Sequence, residues 1–172
     1  MKKLFLLFSL VIVATIANAQ QNTETNLPLI KYHITTADSS IVTPAALRKG
    51  KPVMVIYFEP SCTHCEHLMA ELKPKMDALK NIQVVMITFT QTEYPFLRLI
   101  KDFNKKYNLG KYPNFTVGTE YTSKKDYPVQ RYYAIYTTPF VVVYNKSGKV
   151  VKSFTTVPAV NDLLVAVKKA EQ

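Results

Sequence analysis

Val53-Met54-Val55-Ile56-Tyr57-Phe58-Glu59-Pro60-Ser61-Cys62-Thr63-His64-Cys65 is the stretch on which the reading of this chain turns. Its first six residues are apolar, rich in β-branched and aromatic side chains, and too few for a helix. That predicts a buried central strand. Glu59-Pro60-Ser61 predicts a turn. Beyond Cys65, Leu68, Met69, Leu72, Met76 and Leu79 recur at helical spacing, broken only by Pro74, which should kink the helix or end its first half. Cys62 then falls where the first helix amides and the positive end of the helix dipole point, a position that favours a thiolate. Cys65 follows one turn later, close enough to form a disulfide with Cys62. The chain has two cysteines in all, so neither has another partner within it.

The N-terminus reads as an address. Lys2 and Lys3 precede an apolar stretch over 4–16 and the small-residue signal Ala17-Asn18-Ala19. This predicts a signal peptide over 1–19, cleaved after Ala19, because the apolar stretch is shorter than the ~20 residues that span a bilayer. Residues 20–28 follow as a polar linker, and 29–172 as one domain. Export implies a redox-managed compartment, here the periplasm, where cysteines are used deliberately. The formal charge of +10 is spread over scattered lysines such as Lys73, Lys101, Lys124 and Lys168. Solvated helix faces and loops are the plain reading of them, and acidic partners or an anionic membrane surface the sharper one. An exported chain without stacking or Gly-rich motifs excludes nucleic acid.

Working outward, residues 29–34 predict an edge strand, 36–40 a turn and Ile41-Val42 a returning strand. Thr43 and Pro44 open a short helix that Gly50 follows. Residues 83–89 predict a second buried strand, and 94–107 a helix stopped by Gly110. A strand is expected over 114–121, a charged loop over 124–126 and a tyrosine-rich helix over 128–135. Residues 140–144 and 150–154 form strands around a turn with Gly148, and 158–170 a closing helix. The Tyr132, Tyr133, Tyr136 stripe reads as core. Strands alternating with helices, then a hairpin and a helix, predict an α/β sandwich on a mixed sheet.

With these parts in place the chain resembles the thioredoxin superfamily, and within it the exported TlpA/ResA-like branch. The resemblance runs from residue 30 to the C-terminus. It rests on the strand 53–58, Cys62-Thr63-His64-Cys65 before a helix, an inserted helix and strand over 94–121, Thr138-Pro139 before a strand, and the closing hairpin and helix. It implies a three-layer thioredoxin-like sandwich, a mixed sheet flanked by helices, with an N-terminal hairpin and a central helix-strand insertion. It also implies a cis Pro139 facing the cysteine pair, with Thr138 free to pair with an extended substrate strand. There are departures. Ser61 stands where thioredoxins carry Trp. Ile56 and Leu68 stand where family members carry buried carboxylates, which leaves Glu59 and Glu66 as the nearest proton acceptors for Cys65.

A disulfide closing so short a loop constrains the unfolded chain little, so Cys62 and Cys65 read as a redox pair rather than a staple. Cys62 is the attacking thiolate and Cys65 the resolving thiol. His64 and Glu59 are the tuning residues. An imidazole beside Cys62 would stabilise its thiolate and make the pair more oxidising than thioredoxin's roughly −270 mV. Much of the resembling branch instead works as reductases kept reduced by a membrane partner. Cys62, His64, Cys65 and His67 also leave a copper or zinc site, or a non-catalytic binding protein, as an alternative, although four ligands on one turn surround an ion poorly. A thiol peroxidase is disfavoured, since Glu59 occupies the position where that family has Thr. The expectation is a monomeric periplasmic thiol–disulfide oxidoreductase without a cofactor. Its partners would be protein thiols or disulfides and a membrane or periplasmic redox partner.

Overall fold

The computed structural model describes residues 27–29, 31–89, 96–120 and 127–172. Its centre is β3 (Val53–Phe58), all six residues buried. Parallel β4 (Gln83–Thr88) pairs on one side of it with Val53 opposite Gln83. Antiparallel β6 (Phe140–Tyr144) pairs on the other, with Tyr57 opposite Phe140. Adding β1 (Ile34–Thr36), β2 (Ile41–Val42), β5 (Phe115–Thr119) and β7 (Val150–Phe154) gives seven strands in the order β2-β1-β5-β4-β3-β6-β7. The sheet is mixed, as expected: β3, β4 and β5 run parallel, and the remaining pairings are antiparallel.

Alternation along β3 sends side chains to two cores. Met54, Ile56 and Phe58 face one core with Leu68, Leu72, Phe103 and Leu163. These come from α1 (Thr63–Leu72), α2 (Phe96–Tyr107) and α4 (Val160–Ala170). Val53, Val55 and Tyr57 face the other core, with Tyr32, Val129 and Tyr133, beneath α3 (Pro128–Tyr132). Helices on both faces of the sheet make the three-layer sandwich. Pro74 acts as its chemistry requires: α1 stops at Leu72, and a 3₁₀ helix (Lys73–Leu79) carries Met76 and Leu79 into the same core.

Several details differ from expectation. The first strand lies at Ile34–Thr36 rather than 29–34, and it is not an edge. It pairs with β2 and β5, leaving β2 outermost. The second helix ends at Tyr107 and is stopped by left-handed Asn108, with φ 54°, since Asn tolerates that region next best to Gly. Gly110 sits inside the following 3₁₀ turn. The tyrosine-rich helix closes at Tyr132, and Ala134, with φ 50°, turns the chain out. The last helix begins at Val160 rather than 158. The polar linker up to residue 26 and the charged loop 124–126 lie outside the described residues.

Candidate active site

The Tyr57–Phe140 pairing decides which loops meet. Chain leaving the C-terminal end of β3 and chain entering β6 emerge at the same end of the sheet. The turn carrying Glu59 to Cys62 therefore lies beside Thr137, Thr138 and Pro139. The turn is closed by Cys62 N–H donating to Glu59 O at 3.1 Å, with Ser61 Oγ on Glu59 Oε1 at 3.1 Å. Cys62 is the N-cap of α1 with extended backbone, φ −78° and ψ 121°. Its thiol, half-buried, donates to Thr138 O at 3.6 Å. The Thr138–Pro139 peptide is cis. Thr137 Oγ1 donates to Thr155 O at 3.0 Å and ties this segment to the chain leaving β7.

The two sulfurs have opposite environments. Partial burial pushes the Cys62 thiol up, but the backbone N–H of Cys65, the Thr138 side chain, the Cys65 thiol and the backbone N–H of His64 outweigh it. Cys62 lies below its ordinary value of 9.0. The neutral thiol makes no cap hydrogen bond, whereas a thiolate at the N-cap accepts from those same first-turn amides. Cys65 is 1% exposed. Burial pushes its thiol up to about 12, and the backbone N–H of Glu59 and the Thr138 side chain offset only part of that.

The remaining candidates divide. The ring of His64 is exposed and has no hydrogen bond or ion pair among the described residues; what reaches Cys62 from that residue is its backbone N–H. Glu59 likewise acts on Cys65 through its backbone, while its carboxylate accepts from Ser61. Glu66 is held by Lys106 Nζ at 2.5 Å and acts on neither sulfur. Ile56 and Leu68 are buried in the apolar core. His67 pairs with Glu71 at 3.5 Å. Among the described residues no group of three or more His, Cys, Asp or Glu side chains converges on a metal position, so Cys62, His64, Cys65 and His67 do not form one. Of the tyrosine stripe, Tyr133 is buried and Tyr136 is 92% exposed, so Tyr136 is not core.

A model of the thioredoxin-like domain matches residues 43–168. The chain belongs to the thioredoxin-like family. No curated protein matches it significantly. This thioredoxin-like protein is similar in structure to a secreted disulfide oxidoreductase of Mycobacterium tuberculosis homologous to E. coli DsbE. That likeness has 22% identity and TM-score 0.63, covering 81% of this chain and 96% of that one. It is similar also to a thiol–disulfide oxidoreductase from Bacteroides fragilis, with 16% identity and TM-score 0.64 over 83% of this chain and 98% of that one. StoA from Bacillus subtilis shares 17% identity with TM-score 0.58, over 82% of this chain and 98% of that one. At these identities the likeness is one of fold. No helix among the described residues of the thioredoxin-like protein is long and apolar enough to cross a membrane.

One buried group at this end of the thioredoxin-like sheet escaped the sequence reading. Glu120, 1% exposed just past β5, accepts from Tyr57 Oη at 2.5 Å and from Val129 N–H at 2.7 Å. The only trace of it in sequence is Tyr57, a hydroxyl in a strand otherwise without polar groups, which needs a buried partner.

Proposed function

We propose that this chain is an exported thiol–disulfide oxidoreductase acting on protein cysteines through Cys62 and Cys65. The observation that carries the reading is the asymmetry of the pair. One thiol is accessible, lies at a helix N-terminus and is held below its ordinary value; the other is buried and pushed up to about 12. That is the division a two-step exchange needs. The Cys62 thiolate attacks one sulfur of a substrate disulfide and expels the other as a thiolate, leaving a Cys62–substrate mixed disulfide. Cys65 gives up its proton and attacks Cys62, releasing the second substrate sulfur as a thiolate. The Cys62–Cys65 disulfide remains, and two electrons have passed to the substrate. The reverse sequence oxidises a substrate dithiol.

Thr138, with Pro139 after it, lies where a substrate strand would pair beside Cys62. Residues 1–19 are the signal peptide, cleaved after Ala19, 20–28 the linker and 29–172 the working domain, with the periplasm as its place. The oxidising direction is favoured, and the helix amides now supply the reason in place of the His64 ring: they stabilise the Cys62 thiolate and with it the reduced state. Cys65→Ala should accumulate mixed disulfides with partner proteins, visible on non-reducing gels, and Cys62→Ala should accumulate none. Equal trapping by both variants, or by neither, would count against these roles.

A further inference from the structure

We propose that Glu120 is a positioning residue, its carboxylate joining the strand that delivers Cys62 to the segment that delivers Thr138 and so setting how Thr138 meets the Cys62 sulfur. This rests on the reading of Cys62 and Thr138 given above. Glu120 is anchored by its own N–H, which donates at 2.9 Å to the O of Thr88, the last residue of β4. Its Oε1 takes Tyr57 Oη at 2.5 Å and Gln130 N–H at 3.3 Å, and its Oε2 takes Val129 N–H at 2.7 Å. Tyr57 lies in β3, five residues before Cys62. Val129 and Gln130 form the first turn of α3, which leads into Thr138.

The connection continues without a gap. Ile135 N–H donates to Gln130 O at 2.9 Å, and Gln130 Nε2 donates to Ile135 O at 3.3 Å. Thr138 is three residues further on, and Phe140, just past Pro139, pairs with Tyr57 itself. One carboxylate thus closes a ring running through Tyr57, Cys62, Thr138 and Gln130. A carboxylate so deeply buried is costly unless its hydrogen bonds are made. Here they span both sides of the site.

The test compares wild type, Tyr57→Phe, Glu120→Gln and the double variant, each reduced. Iodoacetamide alkylation of Cys62 is followed against pH, with far-UV circular dichroism and thermal unfolding alongside. In Glu120→Gln an NH₂ replaces one acceptor oxygen and faces a donor. Tyr57→Phe removes a single donor and keeps the ring, so it decides the matter if Glu120→Gln fails to fold. The Thr138 side chain is among the groups holding Cys62 down. Loosening Thr138 weakens that contact and also the bond from the Cys62 thiol to Thr138 O, so in folded variants the alkylation midpoint should move and the rate at pH 7 should change at least threefold. Because both changes break one bridge, the double variant should shift no further than the larger single one. A wild-type profile in folded variants that only melt earlier, or shifts that simply add, would overturn the proposal. A wild type that exchanges no protein disulfide would overturn the oxidoreductase reading instead, and the alkylation result would still decide this one.

Discussion

Cys65 sets a kinetic problem that no neighbouring group among the described residues solves. Burial is the largest influence on its thiol, and no carboxylate is among the groups acting on it. Glu59 contributes an amide, and Glu66 is turned to Lys106. At neutral pH only a minute fraction of Cys65 is thiolate, and only the thiolate attacks. Resolution of a Cys62 mixed disulfide should therefore be slow at pH 7 and quicken about tenfold per pH unit up to pH 9, well below the value of about 12. Acid-quenched single turnovers with a peptide disulfide would measure it. A rate independent of pH would mean that some group takes the proton, contrary to the arrangement described. Slow resolution suits a protein that accepts electrons from substrates better than one that hands them on.

At the scale of elements, the placement of β1 beside β5 depends on a missing side chain. A Cβ on Gly118 would come within 2.9 Å of Thr35 O and 3.0 Å of Ile34 Cδ1. The backbone oxygen belongs to the strand pairing itself and has no rotamer to yield. Gly118→Ala should therefore destabilise the protein by about 1–3 kcal/mol, with the β1–β2 hairpin losing amide protection before β3 does. Denaturant unfolding and hydrogen exchange would report it, and an unchanged midpoint would refute the packing argument. The contrast shows what a sequence exposes. Strand β3, its turn and α1 were legible because a six-residue apolar run, a Pro and a 3.6-residue period are all local signals. The partners of β1 were not legible, because a three-residue strand carries no record of which edge it joins. Neither was the Tyr57–Glu120 bond, which links residues 63 apart. The site divides the same way. Cys62 and Cys65 announce themselves by spacing, whereas the outward direction of the His64 ring is settled by the helix turn it sits on.

For the whole molecule, the two thiols make the stability of the reduced form depend on pH in a way that the oxidised form, lacking both, cannot share. Cys62 has its folded value lowered below the ordinary 9.0, so the folded state binds fewer protons than the unfolded state between those two values. Its contribution to stability is complete above pH 9 and is lost as pH falls through the folded value. Cys65 has its folded value raised from 9.0 to about 12, so between them the folded state holds a proton that the unfolded state has released. That costs nothing below pH 9 and destabilises progressively from 9 towards 12. The two slopes have opposite signs and meet at the unfolded thiol value. Stability of the reduced protein relative to the oxidised protein should therefore rise with pH, peak near pH 9 and fall beyond it. Lysines and tyrosines titrate in both redox forms and cancel in the difference. Measured against the oxidised wild-type protein as the common reference, Cys62→Ala should keep only the falling limb and Cys65→Ala only the rising one. Thermal unfolding of both redox forms across pH 6–10.5 would test this. A difference that is flat, or that falls steadily from pH 6, would mean that the helix amides do not hold Cys62 as a thiolate, and the oxidising poise inferred from them would go with it.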